Sequence, residues 1–311
     1  MTEEMRSRLL GMMMARVSRG VFPKTQREPV GYLTFASAES FTIGVANATK
    51  NWDGTLYYST DTSTWNEWDG TATISSVEHG SEQKIYMRGS GNSVITDGDL
   101  GKWVLTGTDI RCVGNIENLL DYETVASDEH PSMTERCYSH MFYGCTSLIE
   151  APDLPATTLT TSCYDAMFCR CTRLTEAPDL PATTLANSCY YEMFYGCTSL
   201  TQAPDLPATT LTGSCYNHMF YGCTNLTKVP EFPATTLAGS CCYNMFRGCI
   251  SLKISATQTD EYTTPYRIPT SGTATAAPYA LDYMFTGTSG TFKGTPSINT
   301  TYYLHNSNTV I

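Results

Sequence analysis

CYYEMFYGCTSLTQAPDLPATTLTGS, residues Cys189–Ser214, stands among near copies of itself that begin at Cys137, Cys163 and Cys215. The copy that begins at Cys241 keeps CCYNMFRGCISL and then diverges. Two cysteine columns follow from this 26-residue period: Cys137, Cys163, Cys189, Cys215 and Cys241, and then Cys145, Cys171, Cys197, Cys223 and Cys249. A degenerate sixth unit, YALDYMFTGTSGTF (Tyr279–Phe292), keeps Met284, Phe285 and Gly287 but puts Ala280 and Thr288 at the cysteine positions. It reads as a cap.

A period in this range with Leu-x-x-small-Pro-x-Leu (Leu200–Leu206) signals a leucine-rich-repeat solenoid, with one short strand and one helical or irregular turn per unit. One unit buries too few side chains, such as Met193, Phe194, Leu200, Leu206 and Leu211, to offset the entropy of ordering its own backbone. The units must therefore stack, and both ends need covering. Within the unit, Cys189, Met193, Phe194 and Cys197 recur at helical spacing, so the segment that Gly196 ends is expected to be helical or a tight turn. Leu200–Leu206 is the strand candidate, with Pro204 and Pro207 at its exit.

Met-Phe-x-Gly-Cys-x-x-Leu followed by Pro-x-Leu-Pro resembles the BspA-like leucine-rich repeats, over Cys137 to about Phe292. The inserted Ala-Thr-Thr-Leu stretch departs from that family's shorter unit. The resemblance implies a surface protein of the kind found among bacterial adhesins and in proteins encoded by gut bacteria and their phages. It speaks to fold more than to function, because repeat scaffolds serve many partners.

The expected fold class is mixed and β-rich: an N-terminal helix, a small all-β sandwich-like domain, then the 26-residue solenoid. The expected divisions are a helical docking segment at 1–29, a sandwich-like domain at 30–110, a lead-in or N-terminal cap at 111–136, leucine-rich repeats at 137–252, and a divergent repeat with C-terminal cap at 253–311. Strand candidates in the second division are Tyr32–Phe35, Phe41–Val45, Thr55–Tyr58, Thr71–Ile74, Ile85–Arg88 and Lys102–Leu105, with turns at Asp53-Gly54 and Asp69-Gly70. Residues 1–29 carry a net charge of +3, leaving −14 on the rest of a chain whose formal net charge is −11. Leu10, Met14, Val17 and Val21 form a short apolar seam suited to docking on a partner assembly. The apolar stretch Leu9–Ala15, followed by Arg16 and Arg19, does not read as a secretory signal.

An acidic chain repels phosphate backbones, which argues against a nucleic-acid partner. No run of 18 apolar residues exists to span a bilayer as a helix. The sequence also lacks a Gly-x-Ser-x-Gly elbow, a Walker loop, a Gly-x-Gly-x-x-Gly and a His-Glu-x-x-His, so no enzyme, cofactor or metal site is expected. The thirteen cysteines read as small apolar side chains filling equivalent core slots. Disulfides between stacked units fit the allowed Cα range, but five members per column would leave one thiol unpaired, and reduced thiols are the reading taken. Asp153, Asp179, Asp205 and Glu231 form an acidic column that reads as solvated.

Unit-to-unit variation marks the candidate recognition surface: His140, Tyr143, Glu150, Glu176, Tyr191, Tyr195, Gln202, His218, Tyr221 and Lys228. Unconstrained solvent exposure gives the same pattern. Tyrosines on this surface would suit sugars or a protein partner, whereas the column Tyr138, Tyr164, Tyr190 and Tyr216 reads as packing. The functional expectation is a non-enzymatic structural or binding component of a bacteriophage virion, such as a fibre, decoration or receptor-binding protein. It would be made in the host cytoplasm, displayed on the virion surface, homo-oligomeric, docked to other virion proteins and presented to a host glycan or protein. The alternative is a BspA-like adhesin on a bacterial surface.

Overall fold

A computed structural model describes residues 31–98, 101–252 apart from 229, 231, 232 and 235, and 277–288 apart from 278. The seam Leu10, Met14, Val17 and Val21 lies outside the described residues, as does Glu231. The described chain is β-rich, with few helices and mixed sheets.

The strands before the repeats are β1 (Leu33–Ser37), β2 (Thr42–Val45), β3 (Thr55–Ser59), β4 (Asn66–Trp68), β5 (Ile74–Ser75), β6 (Val77–His79), β7 (Glu82–Ser90), β8 (Thr96–Asp97), β9 (Trp103–Thr106) and β10 (Ile110–Val113). A 3-10 turn at Ile116–Leu119 and the short helix α1 (Tyr122–Ala126) follow, then β11 (Tyr138–Ser139) and β12 (Leu148–Glu150). One sheet runs β12-β10-β1-β7-β3-β4, with β6 also on β7, and is antiparallel except where β10 meets β12. A second, β5-β2-β9, is antiparallel, and β8 pairs in parallel with β11. Alternation sends Ile43, Val45, Trp103 and Leu105 of the small sheet inward to share a core with Leu33, Phe35, Leu56, Ile85 and Met87 of the large one. Trp103 is the hinge of that core, with ring centroids 5.5 Å from Trp68, 6.1 Å from Phe35 and 6.3 Å from Phe142 of the first repeat.

Five of the six expected strands coincide with or overlap observed ones over most of their length. Thr71–Ile74 shrinks to Ile74–Ser75, because the Asp69 carboxylate holds Thr71 in a turn by accepting from its N–H and its hydroxyl. Patterning did not point to β4, β6, β8 or β10; β10 lies in the expected lead-in segment.

Of the two forms expected for the Cys-to-Cys segment, helix or tight turn, the repeats take the turn. Apart from the two-residue β11, residues Cys137–Cys145 and their equivalents are a run of turns: the backbone is left-handed at every fourth position, at Arg136, His140 and Gly144, Ser162, Ala166 and Arg170, and so on to Tyr279, Tyr283 and Gly287. That breaks a helix at each turn. Alternate amides then face different ways. Asp165, Met167, Cys169 and Cys171 donate to the carbonyl three residues back, whereas Ser162, Tyr164, Ala166, Phe168 and Arg170 donate to Asn187, Cys189, Tyr191, Met193 and Tyr195 of the next unit at 2.6–3.0 Å. The strand expected at Leu200–Leu206 is absent. Pro204 and Pro207 lack the amide donors a ladder needs, and Gln202 makes only an isolated parallel bridge to Lys228. The equivalent segment in the first unit is a strand, β12, because β10 lies beside it.

Side chains follow the backbone register. Phe142, Phe168, Phe194, Phe220, Phe246 and Phe285 stack nearly parallel at 5.4–5.7 Å, and Tyr138, Tyr164, Tyr190 and Tyr216 at 5.6–5.9 Å, all buried. The sheet module caps the first unit: Ile95, Trp103 and Ile110 donate their N–H groups to Cys137, Met141 and Ser147, each at 2.8 Å. At the other end, Ala280, Asp282, Met284 and Thr286 accept the amides of Cys242, Asn244, Phe246 and Gly248.

Gly89 of β7 lets the 3-10 turn lie on the sheet, since a Cβ there would sit 1.7 Å from the Leu119 carbonyl oxygen. Gly89→Ala is expected to cost about 3 kcal/mol through this overlap, to be read as a lowered urea midpoint with an unchanged slope.

Candidate functional site

The left-handed position of each unit carries, in order, His140, Ala166, Glu192, His218, Asn244 and Tyr283 on the same backbone. Three residues further on stand Tyr143, Cys169, Tyr195, Tyr221, Arg247 and Thr286. Reach between neighbouring units is short, so these two columns and the Asp165–Tyr191–Asn217–Tyr243 column merge into one stripe. His140 stacks on Tyr143 at 5.4 Å and 27°. Tyr195 and Tyr221 stack at 4.8 Å and 6°. His218 sits among Tyr191, Tyr195, Tyr221 and Tyr243, with centroids 5.5–6.4 Å away.

Cations cap the rings. Lys102 Nζ lies 4.8 Å and the Arg170 guanidinium 5.9 Å from the Tyr143 centroid, while the Arg247 guanidinium lies 5.8 Å from Tyr221 and 5.7 Å from Tyr283.

His218 is held neutral. Burial lowers its pKa, outweighing the attraction of Glu192, and the neighbouring Arg247 charge adds to the lowering. Its partners fit one tautomer: Nδ1–H donates to Asn217 Oδ1, and Asn244 Nδ2–H donates to Nε2 at 3.1 Å. Asp165 moves the other way. Burial and then the Glu192 charge push its carboxyl up to about 7, against the opposing pull of Arg136.

The structure thus brings His140 and Tyr143 into contact, and likewise Tyr191, Tyr195, His218 and Tyr221. Glu150, Glu176, Gln202 and Lys228 form a separate exposed column, in which Gln202 bridges to Lys228 along the backbone. Sequence reasoning found Asp165 and Glu192 only as positions that vary between units, and missed Lys102, Arg170 and Arg247. Arg170 had a readable signal, because it interrupts the glycine column Gly144, Gly196, Gly222 and Gly248. Lys102 had none, since it arrives from the sheet module.

Comparison of the chain with protein-family models, curated proteins and solved structures returned no match. The stripe must be read from its own chemistry.

All thirteen cysteines are buried free thiols. In the second column, Cys171, Cys197, Cys223 and Cys249 donate S–H to the carbonyls of Phe142, Phe168, Phe194 and Phe220 in the unit before, at 3.0–3.1 Å. Burial raises nearly all the thiol pKa values, to about 12 at Cys145, Cys163, Cys215 and Cys249. Cys241 is the exception, lowered by the hydrogen bond from its neighbour Cys242, whose own thiol burial pushes up. Among the described residues no three His, Cys, Asp or Glu side chains gather as a metal-binding group.

Two outcomes are expected. Iodoacetamide should leave the native chain's thiols unlabelled, with Cys241 first to react as urea is raised, and should label all thirteen once the chain unfolds. The raised Asp165 pKa means that folding favours its protonated form, so its contribution is complete below the ordinary value of 3.8 and is lost as pH rises through about 7. Asp165→Asn should therefore melt at a higher temperature than the parent near about pH 8, with the difference closing towards about pH 4. Thermal melts followed by circular dichroism across that range check the sign.

Proposed function

We propose that the chain is a non-enzymatic structural and binding component of a bacteriophage virion, a fibre, decoration or receptor-binding protein that presents its repeats for surface recognition. The single observation that carries the binding part is the stripe, where side chains change from unit to unit on a backbone that does not. Packing dictates the Phe, Tyr, Met and Cys columns; nothing in the core dictates His140, Glu192 or His218. In finer terms, the repeats are a leucine-rich-repeat solenoid of the BspA-like type and the sheet module is sandwich-like.

The virion part rests on two supports. Buried reduced thiols suit a chain made and folded in a cytoplasm rather than exported through an oxidising compartment. The resemblance to repeats found in phage-encoded proteins points the same way, although it favours a bacterial surface adhesin equally. In this reading Leu10, Met14, Val17 and Val21 dock the chain to other virion proteins, and the assembled form is a homo-oligomer.

Peptide mass spectrometry of purified virus particles, and separately of cell-envelope fractions from the same culture, tests the proposal. Recovery with particles at a fixed ratio to capsid protein, with the N-terminal peptide present, is the expected outcome. Recovery only in the envelope, with a processed terminus, would make the chain an adhesin instead.

A further inference from the structure

The orientation of the rings decides what the stripe can hold. Tyr195 and Tyr221 stack on each other, Tyr143 has His140, Lys102 and Arg170 around its ring, and Arg247 lies near Tyr221 and Tyr283. A flat ring stacked on Tyr143 or Tyr221 would therefore have to displace one of these neighbours. The groups these residues can offer a ligand are phenol hydroxyls and guanidinium N–H groups. Those are donors, concentrated on a chain whose net charge is −11.

Arg170 is exposed and Arg247 is half-buried, and neither makes an ion pair with a described carboxylate. They stand three units apart, and the Phe stack advances 5.4–5.7 Å per unit over that span. Glu192 lies between them, so a compact anion centred on the stripe would meet a carboxylate. An extended ligand with spaced negative charges would meet an arginine on either side and hydroxyls along its length. Nucleic acid fits poorly, because the chain as a whole, at a net charge of −11, repels a dense phosphate backbone.

We infer that the stripe from Tyr143 to Tyr283 binds an anionic polysaccharide, with Arg170 and Arg247 as its two charge anchors. This rests on the recognition reading of the stripe but not on the chain's being a virion component. Arg170 also provides a clean test, since Gly fills its position in the five other units with the same left-handed backbone, at φ between +68° and +76° beside +59° for Arg170. Arg170→Gly restores the repeat's usual residue and should leave thermal stability unchanged or improved.

The probes are an oligosaccharide of uronic acids and its methyl-esterified, uncharged counterpart of equal length, titrated calorimetrically against the full chain. The acidic probe should bind at least about tenfold more tightly than the ester and weaken steeply with added salt. Arg170→Gly and Arg247→Gln should each lower its affinity about tenfold, with Arg247→Lys retaining part. Equal binding of both probes overturns the inference, as does binding unaffected by either arginine, or no binding of the acidic probe at all. Capture of an acidic peptide in preference to the saccharide would overturn it too, while leaving the stripe a recognition surface.

Discussion

The alternation of amide direction is the constraint from which the repeat array follows. Half of the N–H groups in each Cys-to-Cys segment stay within the unit and half cross to the next, so no unit can satisfy its backbone alone. Left-handed conformations at non-glycine positions such as Ser188 and Glu192 cost on the order of 1 kcal/mol each, and the crossing bonds hold them in place. The period is fixed for the same reason, since every crossing bond pairs equivalent positions. Phe and Tyr columns stack because the backbone has already set them one unit apart, and the second thiol column adds a weak donor where only a small side chain fits.

The sheet module matters because it begins this pattern rather than merely preceding it. Amides of Ile95, Trp103 and Ile110 play towards the first unit the part that each unit plays towards the next. Leu105 and Trp103 extend the series by accepting from Ser147 Oγ and Cys145 Sγ. Trp103 continues the aromatic core from Phe142 into Phe35 and Trp68. Sheet and repeats are thereby one hydrophobic core, and damage to the sheet exposes the first unit.

The repeat, its columns and its packing tyrosines were legible because identical core slots demand identical side chains. The local backbone was not. Apolar residues at spacings of three and four suit a helix and a tight turn alike, and at least two of the three left-handed residues in each unit, such as Ser188 and Glu192, carry no glycine signal. Leu200–Leu206 looked like a strand by composition, but prolines strip its donors and only β10 supplies a partner, once. The ring half of the stripe was legible as variation between units. Its charged half was not, because Lys102 and Tyr143 are far apart in sequence and the elevated pKa of Asp165 comes from its burial first and then from a neighbouring unit's Glu192.

Since each unit meets its neighbours only through equivalent positions, the array is modular in copy number. Adding or deleting one whole 26-residue segment leaves every junction chemically familiar, whereas a change of any other length misaligns amides, rings and thiols together. Near-identical stretches such as Pro152–Leu159, Pro178–Leu185 and Pro204–Leu211 are the natural points for such an exchange. A lineage carrying this chain can thus lengthen or shorten its displayed surface in fixed steps, reshuffling the order of His, Glu, Tyr and Arg along it without redesigning the core.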